Sequence, residues 1–196
     1  MKDLAGSVAA IMEGKLNTLF FHGSDRPISS FSDDFVGNGN DEYGPGIYFA
    51  NDAATSLGYI NGEAGGMLYV VELSFRKQLS KSMKINRTQV LKMMKASPDE
   101  YATSNWSDNP SEAYQMALQN IMESYDNMLD AMLEVWSSWY PNNAQEFVRN
   151  LVTLGYDGHL TELASGDIFA TVYNPKSIKL VEALSLEDAK IKYVRD

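Results

Sequence analysis

The feature that most constrains this chain is a change of hydrophobic period along its length. Between residues 86 and 154 apolar side chains recur at spacings of three and four. Val90, Leu91, Met93 and Met94 form one cluster, and a long stripe runs from Tyr114 through Leu118, Ile121, Met128 and Met132 to Trp136. That period predicts helix, with the Met and Tyr stripe as core and Glu123, Asp126, Asp130 and Glu134 as the solvated side of one long helix. Pro141 closes it, and Phe147, Val148, Leu151 and Leu154 predict another helix that stops at Gly155.

On either side of this middle the runs are short and β-prone. Residues 18–22, 47–50 and 67–75 read as strands; residues 158–163 and 168–173 read as a hairpin joined at Ala164, Ser165, Gly166 and Asp167; residues 177–181 read as a final edge strand. Asn51 or Asp52 is placed to cap a short helix beginning at Ala53. Near the N-terminus Leu4, Val8, Ile11 and Met12, with Gly14 after them, predict a short amphipathic helix over residues 3–13. The expected class is therefore α+β, strands at both ends and helices between. At 196 residues, with 44% hydrophobic content and no internal repeat or linker-like run, the chain reads as one domain spanning 1–196.

Charge narrows the partners. A formal net charge of −10 repels phosphate backbones, which argues against nucleic acid as a ligand. The densest basic run, Arg76, Lys77, Lys81, Lys84, Arg87, Lys92 and Lys95, reads as a solvated face. With no cysteine and only His22 and His159 as histidines, neither a thiolate zinc site nor a multi-histidine metal site is expected. Asp3 and Glu13 spoil a secretory signal, and no apolar run approaches the ~18 residues of a membrane span. A cytoplasmic protein with no membrane partner is the expectation.

Two segments carry the chemistry. Phe21-His22-Gly23-Ser24 ends the first strand, and Gly44-Pro45-Gly46-Ile47-Tyr48-Phe49-Ala50 begins about two dozen residues later, after a polar stretch too long for a plain turn. Gly65-Gly66-Met67-Leu68-Tyr69-Val70-Val71-Glu72-Leu73 follows, and near the C-terminus come Gly155-Tyr156-Asp157-Gly158 and Val172-Tyr173-Asn174-Pro175-Lys176-Ser177-Ile178-Lys179. Taken singly, each reads as a turn and a strand.

In this order they resemble the His-Tyr clade of the ADP-ribosyltransferases, the clade of the diphtheria-toxin type and the poly(ADP-ribose) polymerases, and within it the small phage, anti-CRISPR-type and bacterial members. The resemblance covers roughly residues 18–75 and 154–180. It implies an ADP-ribosyltransferase-like split β-sheet core with residues 86–154 as a helical insertion, NAD as co-substrate, and a protein target acted on in the cytoplasm of a host.

The resemblance also implies roles. His22 would hold the adenosine-side ribose, Gly23 would present its backbone to the nicotinamide amide, and Tyr48 would stack on the ring, with Ser24, Gly46 and Phe49 completing the NAD site. Loss of nicotinamide leaves an oxocarbenium-like ribose, which a nearby carboxylate stabilises. Here the sequence departs from the pattern: where relatives carry a glutamate, register puts Phe169. Asp167, two residues earlier, is the expected replacement, and Glu162, across the hairpin, is the alternative. NAD glycohydrolysis and a catalytically inactive binding protein remain open. The middle of the chain is expected to select the target, with Trp106 in the 98–110 loop, and with Trp136 and Trp139, as candidate partner contacts.

Overall fold

The computed structural model describes Ile11 and residues 18–37, 41–61, 65–98 and 105–193. The expected helix over residues 3–13 lies outside these apart from Ile11, which packs against the main core. The class is α+β. Seven strands form one mixed sheet: β1 (Leu19–Ser24), β2 (Ile47–Ala50), β3 (Met67–Leu73), β4 (Gln78–Leu79), β5 (Gly158–Glu162), β6 (Ile168–Val172) and β7 (Ile178–Ser185), in the order β4-β5-β6-β2-β1-β3-β7. The sheet is continuous, with one weak seam. β1 and β3 share six register pairs and β2 and β6 four, but β1 and β2 share only Phe21↔Ala50.

Alternation along the strands divides the apolar residues between two faces. Phe20, Ile47, Phe49, Val71, Ile168 and Ala170 belong to the large core beneath the helical middle, while Phe21, Leu68 and Val70 belong to a smaller one on the other face. The smaller core is covered by two helices. One is α1 (Ala53–Leu57), whose first turn is capped by Asp52 accepting from the Thr55 amide at 2.7 Å. The other is the C-terminal α6 (Leu186–Tyr193), which buries Ala189.

The helical middle comprises α2 (Arg87–Lys95), α3 (Pro110–Ser124), α4 (Met128–Trp139) and α5 (Ala144–Thr153). The stripe expected to be one helix is thus two. Tyr125 is extended, at φ −127° and ψ 143°, and the Asn127 side chain accepts from the Asp130 amide at 3.0 Å, so an N-cap restarts the helix. Glu134 correspondingly is not simply solvated: it accepts from the Tyr125 phenol at 2.7 Å across the break. The tryptophans also serve the core, since Trp139 is buried and Trp106 and Trp136 pack against the main cluster.

Part of the basic run is structural too. Asp157, buried at the start of β5, accepts from the Arg76 amide at 2.8 Å, from Arg76 Nη2 at 3.2 Å and from Asn174 Nδ2 at 2.7 Å. Burial alone would raise this carboxyl, yet the hydrogen bonds from Arg76 and Asn174 hold it below its ordinary range. The Gly155–Gly158 and Asn174-Pro175 motifs are therefore clasped together, and Lys77 lies over the Tyr156 ring, 3.8 Å from its centroid. Among the described residues no helix is long and apolar enough to cross a membrane.

Candidate functional site

The seam creates the site. Continuing the Phe21↔Ala50 register would set His22 against Phe49 and Gly23 against Tyr48, but the ladder stops after its single pair. A side chain takes over where the backbone leaves off: His22 Nδ1 lies 2.8 Å from the Tyr48 carbonyl oxygen. A carbonyl can only accept, so Nδ1 carries the proton and Nε2 is the acceptor nitrogen of the neutral ring. Phe31, Phe49 and Tyr69 surround the imidazole at centroid distances of 5.5, 5.4 and 6.4 Å. Desolvation by this shell lowers the His22 pKa, only partly offset by the Tyr48 carbonyl, so the ring stays neutral at pH 7.

Over the seam, on the face away from the helical middle, is a cavity of about 220 Å³. A void of about 150 Å³ holds a benzene ring, so this one has room for a single aromatic ring with a small substituent. Gly23 and Ser56 line it from below, Tyr48 and Phe169 from β2 and β6, and Tyr43 and Tyr59 from the loop before β2 and the turn after α1. Gly23 is required there by contact: a Cβ would stand 2.0 Å from the Ser56 carbonyl oxygen. Ser56 in turn donates to the Phe21 carbonyl at 2.8 Å, tying α1 down onto β1.

Tyr48 does more than present a ring. Its hydroxyl donates to the Gly44 carbonyl and accepts from the Tyr43 amide at 3.2 Å, so it holds the turn that carries Tyr43 over the cavity. Burial, and after it the charges of Asp41 and Glu42, raise its pKa far above the ordinary phenol value. Tyr43 then packs on Phe169 with centroids 5.5 Å apart and planes inclined at 31°. Behind them a lateral row, His159 on β5, Thr171 on β6 and Tyr48 on β2, crosses the sheet in register. His159 shares a 2.7 Å hydrogen bond with the Tyr173 hydroxyl.

The expected site residues divide. His22, Gly23, Tyr48 and Phe49 come together around the cavity. Ser24 and Gly46 do not line it: the Ser24 hydroxyl donates to the Arg26 carbonyl at 2.8 Å, and Gly46 lets its loop pass close over β6, where a Cβ would be 2.5 Å from Thr171 Cγ2. Phe169 occupies the wall at the position where the resemblance expects a carboxylate.

The two candidate acids fall on opposite faces. Phe169 and Thr171 face the cavity side, whereas Ile168, Ala170 and Val172 enter the main core. Asp167 has the parity of Phe169, and its pairing with β5 is kept by the Leu163 amide donating to the Asp167 carbonyl at 2.8 Å. Its carboxylate accepts from the Ser165 hydroxyl at 2.8 Å and does not itself line the cavity. Glu162 is opposite Ile168 and so shares the face of Leu160, away from the cavity. Two further acids are engaged elsewhere: Asp25 accepts from the Asn61 amide at 2.7 Å, and Glu72 pairs with Lys179 at 2.7 Å.

Sequence reasoning missed Glu42, Tyr43, Ser56, Tyr59 and the wall-forming role of Phe169. Ser56 was detectable, since it falls in the short helix that the Asp52 cap starts, whereas Tyr59 lies in the turn beyond that helix's end. Glu42 and Tyr43 belong to a loop whose course no periodicity specifies.

No family model matches the chain, and no curated protein matches it. Among solved structures it is similar to an anti-CRISPR protein known from a crystal structure, at 17% identity and a TM-score of 0.35, over 87% of this chain and 98% of that one.

Proposed function

We propose that this chain is an ADP-ribosyltransferase that binds NAD with the nicotinamide ring in the seam cavity, releases nicotinamide and passes ADP-ribose to a protein. The observation that carries the reading is the cavity itself. It forms where β1 and β2 part, between the His22-Gly23 and Tyr48-Phe49 segments, and His22 bridges the two by its hydrogen bond to Tyr48. Stacking of a ring against Tyr48 is worth ~0.5–1.5 kcal/mol beyond its burial.

In the reaction the glycosidic C–N bond breaks and its electron pair goes to the nicotinamide nitrogen, neutralising the ring. Positive charge moves to the ribose, where an acceptor nucleophile on the target adds and gives up a proton. A carboxylate beside that ribose lowers the barrier by opposing the developing charge. Asp167, with the parity of Phe169 and two residues before it, just ahead of β6, is the residue assigned to this role. The helical middle, which the cavity does not need, is the part available for choosing the target.

The test is nicotinamide release from NAD by the purified chain, with and without a lysate containing labelled NAD. Release with label transferred to protein is the expected result. Release without transfer makes the chain an NAD glycohydrolase. NAD binding without any release makes it a binding protein on the same framework, a reading that Phe169 in the carboxylate's place favours.

A further inference from the structure

The charges around the cavity are one-sided. Among its described lining residues Glu42 is the one carboxylate, neither lysine nor arginine contributes, and burial keeps His22 neutral. Tyr43, Tyr48 and Phe169 present aromatic surfaces beside it, Tyr43 lying 6.4 Å from Tyr48 and 5.5 Å from Phe169. Tyr59, 59% exposed, stands at the mouth on the α1 side. Aromatic faces carry negative electrostatic potential and attract cations, above all cations that hold few waters of their own. The Glu42 charge reaches the phenols, because after burial it contributes to raising both Tyr43 and Tyr48.

Resting on the proposed function, we propose that Glu42 and the tyrosines around it make this cavity read ring charge, taking a cationic N-substituted pyridinium in preference to a neutral ring of the same shape. The oxidised dinucleotide carries such a ring; the reduced dinucleotide and free nicotinamide do not. The site therefore accepts the substrate form, and the ring loses this attraction when the glycosidic electron pair neutralises it. Released nicotinamide is accordingly held weakly. Glu42 is a specificity residue in this account, distinct from the carboxylate assigned to the ribose.

The experiment is calorimetric titration of the whole chain with two small probes, 1-methylnicotinamide, which is cationic, and nicotinamide, which is neutral. The cation is expected to bind roughly tenfold more tightly, and Glu42→Gln is expected to remove most of that preference while leaving nicotinamide affinity unchanged. Glu42 is exposed, so the variant is expected to fold, which circular dichroism checks. Equal affinities in the unaltered chain, or a preference that survives Glu42→Gln, overturn the inference while nicotinamide release from NAD still stands. If neither probe binds, the cavity is no ring site, and the inference falls together with the assignment of nicotinamide to it.

Discussion

His22 Nδ1 donates to the Tyr48 carbonyl oxygen at 2.8 Å, so a side chain bridges the strands at the point where their backbone ladder ends. Removing it does two things. His22→Ala deprives a partly buried carbonyl of its donor, which costs about 1–3 kcal/mol, read as a lower urea midpoint. It also loosens the cavity wall, and NAD affinity is expected to fall on the order of tenfold by calorimetry. Equal NAD binding by both proteins would remove His22 from the site.

Asp167 and Glu162 differ by one strand face, which makes them a matched pair for testing. Asp167→Asn keeps shape and removes charge, so turnover is expected to drop roughly a hundredfold with NAD affinity little changed. Glu162→Gln, on the face of Leu160, is expected to have no such effect. The reverse result would contradict the register; if both variants stay active, Glu42 on the cavity wall becomes the next acid to test.

Gly23→Ala tests the packing of α1 on β1. The added Cβ would meet the Ser56 carbonyl at 2.0 Å, and this contact is backbone rather than a side chain able to rotate away. Overpacking of this kind costs about 1–3 kcal/mol or more, so denaturant titration is expected to show a large loss. A variant as stable as the original would mean that α1 shifts freely, and with it Tyr59.

His159 predicts acid sensitivity. Burial pushes its pKa down to about 4, only partly offset by the Tyr43 backbone, whereas the unfolded side chain titrates near 6.5. Stability from keeping this ring neutral is complete above about pH 6.5 and drains away as pH falls toward 4, by about 3 kcal/mol in all. His159→Gln is expected to flatten that loss, leaving the part that His22, shifted in the same direction, contributes. Urea midpoints at pH 7 and pH 5 for the two proteins decide it; identical slopes would refute the assignment.

Much of this architecture was legible in local sequence. Asp52 as a cap, the hairpin around Gly166 and the helical period of the middle all act within a turn or two of chain, where spacing and side-chain chemistry suffice. The C-terminal helix was missed although it too carried a local signal: Ser185 accepts from the Asp188 amide at 3.1 Å and donates to its carboxylate at 2.7 Å, a capping arrangement spaced by three. The two-residue β4 offered no period to find. The break at Tyr125 was hidden because the apolar stripe continues across it.

By itself, then, the sequence determined the alternation of strands and helices and brought attention to His22, Gly23, Tyr48 and Phe49. Only the tertiary structure decided where β1 and β2 part, that Phe169 forms a wall, that Asp167 and Glu162 face opposite ways, and that Glu42 joins the cavity. The physical reason is separation along the chain. Helical period and capping are settled among near neighbours, whereas β2 finds β6 more than a hundred residues away, and a strand's face changes with a shift of one residue in that pairing.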